Sequence, residues 1–189
     1  APPSGESGLF KSNMAVSGSS LLSGERSEAF LSASIILDSQ HTELTVEFDL
    51  SPHGYDVALL DSSDGLVLGS FELGKDATIA VVGNPFIDDT LTVNFREIHS
   101  EGSLKIQYEG GDGGFDSLVF AAPAGNVVQY TAIGPDSGSI HGTGWEIQYS
   151  GLEPITDNSD IADRVFTATG SDDEIRLKDA DQPGWMVIE

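Results

Sequence analysis

Apolar and polar residues alternate with a period of two along most of this chain. The clearest case is Leu44-Thr45-Val46-Glu47-Phe48-Asp49-Leu50, whose apolar side chains fall on one face and whose polar and acidic ones fall on the other, as a half-buried β-strand requires. Residues 30–37 form a denser apolar run. Shorter strand-like segments follow at 55–60, 66–68, 78–82, 90–95, 104–108, 117–120, 126–130, 145–149, 164–167 and 174–177, and a last one occupies 185–189. Almost every gap between them holds Gly, Asp, Asn, Ser or Pro, the residues that close turns. Nowhere do apolar positions recur at helical spacing for three turns, and 22 glycines disfavour helix throughout. The pattern predicts an all-β chain whose core draws on Val93, Phe95, Ile106, Tyr108, Leu118, Phe120, Ile147, Tyr149, Val165 and Ile175.

Internal repetition refines the expectation. Ser103-Leu104-Lys105-Ile106-Gln107-Tyr108-Glu109-Gly110 returns as Gly144-Trp145-Glu146-Ile147-Gln148-Tyr149-Ser150-Gly151. Short strands headed by aspartate form a second set: Asp89-Thr90-Leu91-Thr92-Val93, Asp116-Ser117-Leu118-Val119-Phe120, Asp163-Arg164-Val165-Phe166-Thr167 and Asp173-Glu174-Ile175-Arg176-Leu177. Repeated short strands that bury their inward side chains against neighbouring copies predict a solenoid-like second half, a parallel β-helix or β-roll. The first half fits a small β-sandwich, and a single β-sandwich with Greek-key connections is the alternative for the whole chain. The corresponding division is a Ser/Gly-rich arm or irregular first layer at 1–28, a β module at 29–75 and an acidic β-repeat region at 76–189.

Charge narrows the partners. Eight Lys and Arg face 31 Asp and Glu, a formal net charge of −23, and such a field repels phosphate backbones and anionic lipid surfaces. Nucleic acid is excluded as a partner, and no apolar run approaches the ~18 residues that would insert into a membrane. With no cysteine there is neither a disulfide framework nor a zinc–thiolate site. The carboxylates do suit a hard divalent cation, so calcium is the cofactor to test. Three acidic turns place alternate oxygens within reach of one ion: Asp61 with Asp64, Asp157 with Asp160 and Asp163, and Asp179 with Asp181. None completes an EF-hand loop, and Asx turns of the same composition form without metal through side-chain-to-backbone hydrogen bonds.

Catalytic constellations do not emerge. His41, His53, His99 and His141 stand singly, without the short spacing of a zinc site. Gly110-Gly111-Asp112-Gly113-Gly114 lacks the basic residue and following helix of a phosphate cradle and reads as a turn. The adjacent pairs Asp88/Asp89 and Asp172/Asp173 point to opposite faces of a strand and would not flank one glycosidic bond. The chain therefore reads as a non-enzyme, with a β-helical polysaccharide lyase or hydrolase as the remote alternative. Trp145, Tyr149 and Trp185 are the candidates for stacking on a sugar ring, against the plainer reading that they pack in the core.

The stretch from about Asp76 to Glu189, with its Asp89–Val93 strand, its Gly110–Phe120 segment, Tyr149-Ser150-Gly151-Leu152-Glu153-Pro154-Ile155 and Thr169-Gly170-Ser171-Asp172-Asp173-Glu174-Ile175, resembles the repeat regions of giant secreted and cell-surface adhesin-like proteins of planctomycetes and related aquatic bacteria. The resemblance implies an extracellular or cell-surface structural role, with calcium-binding turns in some relatives and no catalytic residue to carry over. On this reading Trp185-Met186-Val187-Ile188-Glu189 is a strand that stops inside a repeating architecture. The expected partners are neighbouring copies or repeats of the same protein, with polysaccharide as the partner of a carbohydrate-binding module in the alternative reading.

Overall fold

The structure is a computed structural model that describes residues 16–20, 30–125, 127–170, 172, 174–183 and 185–188. Its described residues form strands, turns and loops without a helix. Thirteen strands make one mixed sheet that curls into a half-barrel. In chain order they are β1 (Val16–Ser20), β2 (Phe30–Ile36), β3 (Glu43–Ser51), β4 (Gly54–Asp61), β5 (Val67–Val82), β6 (Thr90–Phe95), β7 (Leu104–Glu109), β8 (Ser117–Ala121), β9 (Val127–Ala132), β10 (Gly138–Gly142), β11 (Trp145–Ser150), β12 (Ile155–Asp157) and β13 (Asp163–Thr167). A separate two-stranded antiparallel ribbon pairs β14 (Leu177–Asp179) with β15 (Met186–Ile188).

Two runs of parallel pairing organise the sheet. In the first, β2, the C-terminal part of β5, β7 and β11 lie side by side in register, so that Ala33, Ile79, Ile106 and Ile147 form one row and Ile35, Val81, Tyr108 and Tyr149 another. In the second, β3, β6, β8 and β12 align Leu44, Leu91, Leu118 and Ile155, beside Val46, Val93 and Phe120. The period-two pattern explains why these rows exist. Each parallel neighbour presents the same inward position, so an apolar row on one strand continues on the next. The repeat seen in the sequence is the pair β7 and β11, matched residue for residue from Leu104 opposite Trp145 to Glu109 opposite Ser150.

Antiparallel strands fill the intervals. β4 and the N-terminal part of β5 form an excursion between β3 and the first parallel run, and β9 and β10 form another before β11. β5 runs unbroken through the expected division at 75/76, because its first part pairs with β4 while its second part joins β2 and β7. A single core lies on both sides of that point.

Aromatic rings connect the core from end to end. Tyr55 meets Phe48 edge-on at 6.0 Å between centroids, Phe48 stacks on Phe95 at 5.3 Å, and Phe95 packs on Trp145 at 4.8 Å. From Trp145 the contacts continue to Phe120 at 6.0 Å, Tyr130 at 6.2 Å and Phe166, which stacks on Tyr130 at 4.3 Å. Such pairs add about 0.5–1.5 kcal/mol each beyond the area they bury.

The expected core holds for Val93, Phe95, Ile106, Tyr108, Leu118, Phe120 and Ile147, all buried, and Tyr149 is partly buried. Val165 and Ile175 are corrections: they are 48% and 56% exposed. Val165 lies in β13, which among the described residues has a partner on one edge only, and Ile175 precedes β14, outside the large sheet. Alternation alone could not foresee that nothing within the described chain covers them.

Candidate functional site

Three places could carry function: the acidic turns, the outer face of the parallel strands, and the edges at the ends of the sheet. The turn at Asp61–Leu66 closes the β4–β5 hairpin. Asp61 Oδ1 accepts hydrogen bonds from Ser63 N at 2.9 Å and Ser63 Oγ at 2.5 Å, which hold its carboxyl below the usual range. Asp64 Oδ1 accepts from Leu66 N at 2.8 Å. Both are Asx-type arrangements in which the carboxylate organises its own backbone.

Asp157 lies at the end of β12 and is the most engaged of the candidate ligands. Its Oδ1 accepts from Ser159 N at 2.7 Å, and its Oδ2 accepts from Tyr130 Oη at 2.5 Å and Arg164 Nε at 2.7 Å. Burial works to raise this carboxyl, but the hydrogen bonds from Ser159, Tyr130 and Arg164 outweigh it and hold it below the usual range. Arg164 also donates to the carbonyls of Ser159 at 2.8 Å and Ile161 at 3.1 Å, while Ser159 Oγ accepts from Ala122 N at 2.7 Å. The loop from β12 to β13 is thus tied down by one aspartate and one arginine. Asp160 and Asp163 are exposed beside it, and Asp179 and Asp181 are exposed at the β14–β15 ribbon. Among the described residues no group of three or more His, Asp or Glu side chains converges as a set of metal ligands.

The sugar-stacking candidates separate. Trp145 is 3% exposed between Phe95 and Phe120, so it offers no ring face to a sugar, and core packing is the role the structure gives it. Trp185 is 36% exposed beside β15, where its backbone closes the ribbon turn with Ala180 and Gln182. Tyr149 is half-buried and borders an open groove of about 490 Å³ on the outer face of β5, β7 and β11. Gln107, Gln148, Glu109, Ser139 and the exposed Ile133 line the same groove.

Sequence reasoning treated the aspartates that head β6 and β8 as repeat markers and missed their burial. Asp89 is 0% and Asp116 3% exposed. They sit where the chain turns from the first parallel run into the second, against a ladder of glycines. A Cβ on Gly110 would stand 2.4 Å from the Gly151 carbonyl oxygen and 2.7 Å from Asp116 Oδ2. One on Gly83 would stand 2.1 Å from the Gly110 carbonyl oxygen and 2.9 Å from Asp89 Oδ2. The carboxylates therefore occupy the room that the missing side chains leave. The signal was present in the sequence as the recurring distance from glycine to aspartate, Gly83 to Asp89 and Gly110 to Asp116.

At the N-terminal side β1 covers the free edge of β2, and β4 covers that of β3. β12 and β13 stand at opposite ends of the sheet order, and among the described residues each pairs along one edge only. Val165, Phe166, Leu177, Met186 and Ile188 cluster in the same C-terminal part of the chain and are all exposed. Compared with family models, curated proteins and solved structures, the chain matches none of them.

Proposed function

We propose that this chain is a non-catalytic structural or adhesive segment of a large extracellular or cell-surface protein, built as a short β-solenoid whose free edges take a neighbouring coil or copy. The observation that carries this reading is the pair of in-register parallel runs, β2–β5–β7–β11 and β3–β6–β8–β12, whose successive members follow one another along the chain. In a stack of this kind each coil buries its inner face against the next, so the outermost coil keeps unpaired backbone groups and incompletely covered side chains. The edges of β12 and β13 and the exposed Val165 match that description. The acidity fits a secreted surface kept soluble by its own repulsion, and the likeness of residues 76–189 to bacterial surface repeats agrees with it.

Size-exclusion chromatography with light scattering tests the assembly. Association that rises with concentration and is abolished by Val165→Lys on the β13 edge is expected. A strictly monomeric chain at high concentration counts against association through this edge. Carbohydrate binding is the second reading, favoured by the groove with its two glutamine amides and the Ser139 hydroxyl; a glycan array without any bound polysaccharide removes it.

A further inference from the structure

The corner between the two parallel runs holds an unusual set of polar groups. Asp89 Oδ2 accepts a hydrogen bond from Asn84 N, and Asp116 Oδ1 accepts one from Asp89 N at 2.8 Å. The other oxygen of Asp89 is buried and has no hydrogen-bond partner among the described residues. So is the phenol oxygen of Tyr108, a residue of β7 that is only 2% exposed. The charges acting on Asp89 are those of Asp116, at the head of β8, and of its neighbour Asp88, both of its own sign. Asp116 and Asp89 in turn both act on the Tyr108 phenol. Leaving a buried ionised oxygen without a donor is costly, and crowding it with like charge adds to the cost. Protonation removes the charge, and with it the repulsion and the cost of burying an ion.

We propose that this corner is a buried proton-binding site, in which a proton taken up at Asp89 Oδ1 relieves the crowding of like charge between the heads of β6 and β8, tightening the protein in mild acid and loosening it above neutral pH. Burial first, then the charges of Asp116 and Asp88, raise the Asp89 carboxyl to about 6, against the hydrogen bond from Asn84 that favours the ionised form. Asp116 is raised as well, by burial and by Asp88. A carboxyl raised on folding binds its proton more tightly in the folded chain than in the unfolded one. Stability is therefore gained as pH falls through about 6 and levels off near the unfolded value of ~4. Between pH 7.5 and pH 5 that linkage amounts to about a tenfold rise in the folding equilibrium constant.

The whole acidic surface also relaxes as it is protonated, so the diagnostic quantity is a difference between variants. Urea unfolding from pH 5 to pH 8 should show Asp89→Asn, which mimics the neutral acid, gaining on the parent chain as pH rises, with the gap closing near pH 5. Asp112→Asn, which removes an exposed carboxylate from the glycine loop, should keep the parent's slope. Parallel curves for the parent and Asp89→Asn would overturn the proposal. Should Asp89→Asn not fold, carbon-13 spectra of aspartate-labelled parent protein decide the matter. One carboxyl should titrate near 6 and move down toward the usual range in Asp116→Asn, whereas titration of every resolved aspartate near 4 would refute the site.

Discussion

Replacing Ile106 with alanine probes the parallel rows most directly. Ile106 is 1% exposed, with Ile79 in register on one side and Ile147 on the other, both at 0%. Truncating a buried isoleucine costs about 2–5 kcal/mol, and the cost rises with the volume of the cavity that cannot collapse. Here the neighbours on both sides are fixed by strand pairing, so the loss should fall in the upper part of that range, about 4 kcal/mol. For a chain of this size 1 kcal/mol corresponds to roughly 2–4 °C, so the melting temperature should drop by about 8–16 °C. Urea denaturation monitored by far-ultraviolet circular dichroism gives the free energy directly, with an unchanged slope if the unfolded state is unaffected. The adjacent Gln107 faces outward, and Gln107→Ala should stay within about 0.5 kcal/mol. A loss below about 1 kcal/mol at Ile106, or an equal loss at Gln107, would mean that the inward row is misassigned.

Two further expectations follow from the turns. Gly110→Ala forces a methyl group against the Gly151 carbonyl and the Asp116 carboxylate and should cost about 1–3 kcal/mol or more by equilibrium unfolding, while Gly170→Ala, with nothing within 4 Å, should be nearly neutral. Melting curves in calcium and magnesium at matched ionic strength should coincide, because Asp61 and Asp64 each commit Oδ1 to their own turn and Asp157 commits both oxygens to Ser159, Tyr130 and Arg164; a calcium-specific rise lost in Asp160→Ala or Asp181→Ala would instead establish a cation site.

Much of the strand pattern was legible because a half-buried strand must alternate. β6 is bounded in the structure as the alternation placed it, and β7 and β11 were visible as a repeat because adjacent parallel strands impose the same demand on both. β10 was missed because Gly138-Ser139-Ile140-His141-Gly142 shows one apolar residue among turn formers, although Ile140 is fully buried. β12 was hidden in an acidic turn, since Ile155-Thr156-Asp157 is too short to alternate and its strand state comes from pairing with β8. The aspartate-headed set also divides. Asp89 and Asp116 lead neighbouring strands, Asp163 leads β13 beside β9, and Asp173 lies outside the described residues. What sequence could not supply was the third dimension of the corner, where a glycine ladder makes room for a carboxylate from a strand several residues further on.

The uneven distance between the parallel strands has a consequence for how this architecture can vary. Ala33, Ile79, Ile106 and Ile147 occupy one row, yet the chain travels 46, 27 and 41 residues between them. The surplus in the first interval is carried by the β4–β5 hairpin, whose tip at 62–66 is exposed throughout. Row spacing is set by hydrogen bonding and is indifferent to how much chain passes between one row and the next. A sequence inserted at that tip would therefore be displayed at a fixed height on a rigid shaft, so foreign peptides can be mounted there while the packed interior keeps its register.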